Sequence, residues 1–460
     1  MLPLYLACVV VGSWWMVRRL LFRTLFVIAA FAFLQNAILP MLYTGGFASI
    51  DLSKALLYFK EVLLLMLFAY ACWRLIGRHA AVPNALWILM AFAGWCGLRA
   101  TVGIIQGDDF GNALRTVRSL FMPLEFFTIG VAAVYEGDVA KRFFRWLVPV
   151  SAALALIAVF LFAAVGTDFW VKYANIASYN IELKGEDAAD QIEDSGVSAT
   201  GGGRPEFEFI SQLRAFGTYG DPIALGFALS FVVLLTMVML PPIKHRYLYV
   251  TPMMLAVFAS LTRSAWIFAS LAALVILVRR RKFLLISALV VLVVVTLVAV
   301  PPVTEFFVSS VDKLVNASPG DNHAQGLRGF YTQIWQDPGN IIGKGSNPEV
   351  QVIPESGYAF LVEHFGIPAY VLFLALNFSI FHSLLRVPVE LRHLADLGLG
   401  LIVATLITMH TSFYALGFIG FHMTWVFWGV LTSLSIQPQE ETVLETAAPM
   451  LPPGSPAAAI

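Results

Sequence analysis

The chain has 460 residues, 59% of them hydrophobic and only 13% charged. A mean hydropathy of +0.79 excludes an ordinary soluble domain, whose surface needs far more charge, and makes lipid the solvent for most of the chain. Lys plus Arg equal Asp plus Glu at 29 each, so the basic footprint that nucleic acid requires is absent.

Apolar runs fall at about 2–17, 20–40, 55–73, 82–98, 116–135, 143–165, 218–240, 248–262, 264–278, 283–301, 357–385, 394–415 and 417–435. Backbone groups in lipid must bond internally, so these runs are expected to be helices. The fold predicted is an all-α polytopic integral membrane protein with 12 or 13 transmembrane helices, the first of them short. That first run lacks a basic n-region and an A-x-A site, so it reads as a membrane segment and not as a signal peptide. Cys8, Cys72 and Cys96 lie in apolar runs and read as small core residues.

Basic clusters occur at Arg18/Arg19/Arg23, Arg74/Arg78, Lys141/Arg142/Arg145, Lys244/Arg246, Arg279 to Lys282 and Arg386/Arg392. An even number of runs separates each from the next, which puts them all on one side, the cytoplasm. Two long connections, about 166–215 and 302–356, then face outward. The membrane domain is expected to span 1–435. The Pro/Ala/Glu-rich stretch 436–460 is expected to be a disordered cytoplasmic tail.

Between Lys244/Arg246 and the 279–282 cluster lie two runs of fifteen residues split by Arg263. Fifteen helical residues rise about 22 Å, short of the roughly 30 Å hydrocarbon core. The LTRSAW tip should therefore stop below the outer surface, with Arg263 at the floor of an outward cavity. A lipid-facing Arg costs about 3 kcal/mol or more at mid-bilayer, so an anionic partner or water is required.

Arg214 lies where the first long loop re-enters the membrane, and Arg328 lies in the second. Arginine's planar fork holds phosphate by paired bonds, so two or three around one cavity would hold a diphosphate. Interfacial snorkelling is the plainer reading of either residue alone. Glu355 stands at the mouth of the 357–385 run. It suits a general base acting on a sugar hydroxyl, or a first-turn acid on the helix dipole. Glu363 and His364, two turns on, read as a polar packing pair. His323, near Asp321, suits orientation of an acceptor or a hydrated loop. Arg99, Arg115 and Arg118 surround GDDFGN and would add a positive funnel or mark an interface. His410 and His422 lack metal-ligand spacing, and the acidic 182–194 stretch reads as a solvated excursion.

Three blocks carry a family resemblance. LRAFGTYGDPIALG resembles an R-x-x-G-T-x-x-x-P start to a helix, with Arg214, Gly217, Thr218 and Pro222 in place. SLTRSAW is similar to a Ser/Thr-Arg motif centred on Arg263. LRGFYTQIWQDPGNIIGKG followed by ESGYAFLVEHFGIPAYVLF resembles a loop-plus-helix block. In order and spacing these resemble the Wzy/WaaL superfamily of O-antigen ligases and O-antigen or exopolysaccharide polymerases, over roughly 210–375.

The resemblance implies a GT-C-like membrane glycosyltransferase of the bacterial inner membrane, with its site and both long loops facing the periplasm. It implies an undecaprenyl-diphosphate-linked oligosaccharide as donor substrate, no cofactor and no metal. Arg214 and Arg263 map onto the diphosphate-binding arginines. Glu355 would be catalytic, and Arg328, Tyr358, His323, Arg99 and Arg115 would contact substrate. Many ligases carry a His in an HN-x-Y-L pattern where this chain has Glu355-Ser-Gly-Tyr358, which favours a polymerase. Ligation onto lipid A-core is the alternative. A flippase and a chain-length regulator of the same pathway are the expected protein partners, in a surround of membrane lipid. A transporter of lipid-linked sugars is the reading from another class. Against it, no two halves of similar pattern are visible.

Overall fold

A computed structural model describes residues 11–15, 17, 23–165, 179, 182, 222–239, 242–260, 262–285, 334–345, 356–410 and 421–436. Among them there is no strand, and eleven α-helices follow in order. These are α1 Thr24–Thr44, α2 Ile50–Gly77, α3 Asn84–Ile105, α4 Phe110–Ala133 and α5 Val139–Phe160. Then come α6 Pro222–Val238, α7 Arg246–Ala259, α8 Arg263–Arg279, α9 Gly357–Leu384, α10 Arg392–Thr408 and α11 His422–Leu434. Seven stretches, in α1 to α5, α9 and α10, are long and apolar enough to cross a bilayer, while α6, α7 and α8 are apolar but shorter. The protein is an all-α, multi-pass membrane protein. Most of the 2–17 and 283–301 runs, most of both long loops and the 437–460 stretch fall outside the described residues.

The core is built around α11. Its residues 422–433 are buried on every side, as expected of a helix that is apolar all round. Gly130 of α4 and Gly429 of α11 let these two helices meet backbone to backbone. A Cβ on Gly130 would lie 2.3 Å from the Val426 carbonyl oxygen, and one on Gly429 would lie 2.2 Å from that of Phe127. Small residues at such crossings allow the close approach from which membrane helices gain dispersion contacts. Gly400 does the same for α10 against α8 at Ala272. Rings fill the remaining space: Phe427 meets Phe144 at 5.5 Å and Phe231 at 5.6 Å, and Trp425 meets Trp428 at 4.9 Å.

Three of the basic clusters, at Arg74/Arg78, Lys141/Arg142/Arg145 and Arg279 to Lys282, gather at one end. Arg74 and Arg78 at the end of α2 pair with Glu136, which follows α4. Arg279 at the end of α8 bonds Asp396 near the start of α10 at 2.8 Å. A cavity joins the start of α5 to the starts of α10 and the ends of α6 and α11. These joins match the alternation read from charge.

One helix departs from expectation. The 357–385 run reads as a continuous span, yet α9 breaks at Gly366, whose φ of 81° and ψ of 175° are not helical. Tyr358 packs its ring 5.4 Å from that of Tyr370 and 6.3 Å from that of Phe373. Along a straight helix those residues would stand about 18 and 22 Å apart. The 357–365 half therefore turns sharply off the line of 367–384. The backbone N–H of Gly357 donates to Met409 at the end of α10, and the Phe365 carbonyl accepts from Trp95 of α3. The half-helix thus bridges α10 and α3 across the end opposite the basic clusters.

Candidate functional site

The bent end of α9 organises this region. Pro368 has no N–H to offer the His364 carbonyl, and Gly366 turns the following backbone away. Carbonyls of residues 363–365 thus lose their helical partners, and in lipid such groups must be satisfied by protein. Three donors supply the bonds: Lys344 N–H to Glu363 at 2.6 Å, Gly345 N–H to His364 at 3.1 Å, and Trp95 Nε1–H to Phe365 at 2.7 Å. Segment 334–345 is thereby seated on the break. A Cβ on Gly343 would lie 2.5 Å from the Gly366 nitrogen, and one on Gly366 would lie 2.4 Å from the Ile342 carbonyl carbon. Only two facing glycines permit that contact.

The segment is shaped by its own polar groups. Asp337 caps the 338–341 turn by accepting from Gly339 N–H at 2.8 Å. Lys344 Nζ reaches the same carboxylate at 2.5 Å. Bonding to the Lys344 ammonium, helped by the Gly339 N–H, holds Asp337 below the usual carboxylate range. Arg99, buried in α3, clamps the far side by donating from Nε to the Gly343 carbonyl at 2.9 Å. Asp108 lies against Gly103 and Gly345, where an added Cβ would fall 2.2 and 2.3 Å from its Oδ2. His364 Nδ1–H donates to the Gly345 carbonyl at 2.5 Å, which turns Nε2 inward. That Nε2 is buried without a hydrogen-bond partner among the described residues. The Gly345 carbonyl can only accept, so His364 is held in its Nδ1–H tautomer.

The α7–α8 tip forms a second part of this end. The two helices have 14 and 17 residues, rising about 21 and 26 Å, each less than the roughly 30 Å core. They touch little beyond their tip, where Trp266 Nε1–H donates to the Val257 carbonyl at 3.0 Å. Ser260 and Thr262 are buried. Gly226, four residues into α6, lets the tip close in: a Cβ there would lie 2.8 Å from that of Ala265 and 3.0 Å from Ser260 Oγ. The segments that end LRAFGTYGDPIALG and open SLTRSAW are in contact. Rings of Phe227, Phe268 and Phe421 then tie α6 and α8 to the start of α11.

Of the residues expected at the site, Arg214, His323, Arg328 and Glu355 lie outside the described residues, as do the side chains of Arg263 and Arg115. The Arg263 backbone begins α8. Ser356, not Glu355, caps α9, its hydroxyl accepting from Ala359 N–H at 3.3 Å. Tyr358 is buried, and its hydroxyl donates to the Leu406 carbonyl at 2.8 Å. Its ring meets that of His410 at 4.7 Å.

No family model, curated protein or solved structure matches the chain. Among the described residues, no three His, Cys, Asp or Glu side chains group as metal ligands.

A set of charges inside the bundle was missed by sequence reasoning. Arg118 of α4 donates to Glu61 of α2 and, at 2.7 Å, to Glu125 one face along its own helix. Lys60 sits 3.2 Å from Glu61 and donates to Gln35 of α1 at 3.0 Å. Glu125 is fully buried, and its Oε1 has no hydrogen-bond partner among the described residues. The signal was present in the sequence: Lys60, Glu61 and Glu125 interrupt apolar runs, where ionisable groups are costly and mark function by default. Arg118 turns inward to these carboxylates instead of joining a funnel around residues 107–112.

Proposed function

We propose that this protein is a bacterial inner-membrane polysaccharide polymerase. It transfers a glycan from undecaprenyl diphosphate to a hydroxyl of another lipid-linked repeat unit at the periplasmic face. The observation that carries this reading is the contact of Gly226 with Ser260 and Ala265, both buried at the α7–α8 tip. It joins two of the three sequence blocks on which the family resemblance rests, and α10 links them to the third through Met409 and Gly357. Arg263 belongs to the tip itself, and Arg214 lies twelve residues before Gly226 in the chain.

In this reading Arg214 and Arg263 hold the leaving diphosphate and stabilise the charge it gains. The acceptor hydroxyl attacks the anomeric carbon, the bond to the diphosphate oxygen breaks, and Glu355 takes the hydroxyl proton. Direct displacement inverts the anomeric centre. Arg328 orients one substrate. Transfer to lipid A-core is the same chemistry with another acceptor.

A transporter of lipid-linked oligosaccharide is a second reading, favoured by the part-buried Lys60–Glu61–Arg118–Glu125 set and the broken α9. Purified protein given one lipid-linked repeat unit, with and without lipid A-core and no energy source, separates the three. Lengthened glycan supports a polymerase, glycosylated lipid A-core a ligase, and unchanged length with movement across a vesicle a transporter. Arg263→Ala should abolish the longer products while the protein still inserts. Unaltered polymer length and yield in that variant would remove Arg263 from the site.

A further inference from the structure

We infer that the end of the bundle bearing the basic clusters holds a bound anionic glycerophospholipid. A partly enclosed cavity of about 470 Å³ lies there between α5, α6, α10 and α11. Its size falls within the roughly 300–1,000 Å³ of small-molecule sites. Its walls are apolar, with Phe144, Leu235 and Phe427 among them, and its rim carries Lys141, Arg145, Glu390 and His393.

Residues 141, 144 and 145 share one face of α5 because they stand three and four positions apart. That face sets two cations beside a phenyl ring, and the ring leads inward to Phe427 at 5.5 Å. An amphiphile with an anionic head and an acyl chain fits this order from rim to floor. With His393 neutral, two cations and one carboxylate leave the rim at +1. That complements the single negative charge of phosphatidylglycerol and not a zwitterionic head. Basic pockets between helices at the end marked by Lys and Arg recur as anionic-lipid sites. The inference stands apart from the proposed glycan transfer, which concerns the opposite end of the bundle.

The test titrates the full-length protein, held in phosphatidylcholine nanodiscs, with phosphatidylglycerol, reading bound lipid by native mass spectrometry and thermal stability. Phosphatidylglycerol should bind and raise the melting temperature, whereas added phosphatidylethanolamine should do neither. Lys141→Gln with Arg145→Gln should weaken binding about 30-fold, or about 2 kcal/mol at 1.4 kcal/mol per tenfold. Glu390→Gln should tighten it about fivefold. Arg142→Gln, an exposed neighbour that does not line the cavity, should leave it unchanged. Equal binding of both lipids, or full binding by the double variant, overturns the inference. Should the double variant fail to fold, a phosphatidylglycerol with a photoreactive chain decides on the natural protein. Adducts at Phe144, Leu235 or Phe427 support the site, and adducts confined elsewhere overturn it.

Discussion

Replacing Gly366 by Ala probes the joint on which the candidate site rests. The residue's φ of 81° and ψ of 175° lie in a region open essentially to glycine alone, so any side chain there adds about 1–3 kcal/mol of strain. The new Cβ would also stand 2.4 to 2.6 Å from backbone atoms of Ile341 and Ile342. Ordinary contact needs roughly another ångström, and backbone cannot yield as a flexible side chain does. Segment 334–345 must lift, which breaks the Lys344 and Gly345 bonds to the Glu363 and His364 carbonyls. Two buried carbonyls left bare cost about 1–3 kcal/mol each, less whatever water recovers. The expected loss is about 3–5 kcal/mol. Melting in detergent reports the total, and hydrogen exchange at the Lys344 and Gly345 amides reports where it arises. Gly94→Ala is the control: nothing lies within 4 Å of its added Cβ in α3, so a helical Ala there should gain about 0.5–1 kcal/mol. If Gly366→Ala melts like Gly94→Ala and both amides stay protected, the seated segment is not what completes the break in α9.

Removing the Arg118 side chain should cost about 3 kcal/mol in thermal unfolding, because Glu125 is then left buried and uncompensated; Arg118→Ala with Glu125→Gln should recover part of it. Tyr358→Phe should cost about 1 kcal/mol through the lost bond to Leu406 while transfer rates stay within severalfold, since the hydroxyl faces a carbonyl. The depressed Asp337 acidity carries a definite sign. Its contribution is full above the unfolded carboxyl value of about 4 and is lost as pH falls through the folded one. The melting difference between the natural protein and Asp337→Asn should close over that acidic window, and a difference that persists below it would mean that Lys344 is not the cause.

Legibility followed the physics of the solvent. Lipid demands internal hydrogen bonding and long apolar runs, so most helices and their alternation could be read directly, although the Arg279–Asp396 pair at the basic end could not. The short α7–α8 hairpin was legible for the same reason, since a run of fifteen residues cannot cross a bilayer. What could not be read depends on contacts between distant residues. Gly366 and Pro368 mark a weak point in α9, but nothing local says that Gly343 and Gly345 will fill it, or that Trp95, some 270 positions away, will donate to Phe365. Tyr358 is a substrate contact only on the family resemblance, and nothing local says that its hydroxyl will bond the Leu406 carbonyl.

The same bend changes how the site is to be understood. A continuous 357–385 helix would bond the Glu363 and Phe365 carbonyls within itself and offer segment 334–345 little to seat on. A half-helix bridging α10 and α3 keeps Glu363 and His364 at the end of the bundle, with His364 Nδ1 bound to Gly345. Ser356 already supplies the cap, so the helix start does not require Glu355 as a cap. That leaves two proton acceptors to distinguish: Glu355, which precedes the cap in the chain, and His364, whose Nδ1–H is held by Gly345. Comparing Glu355→Gln with His364→Gln separates them. If Glu355 takes the acceptor proton, its Gln variant binds donor and loses turnover, while His364→Gln loses stability through the Gly345 bond and retains the chemical step. The opposite pattern would assign proton removal to the imidazole and reduce the carboxylate to a neighbour of the cap.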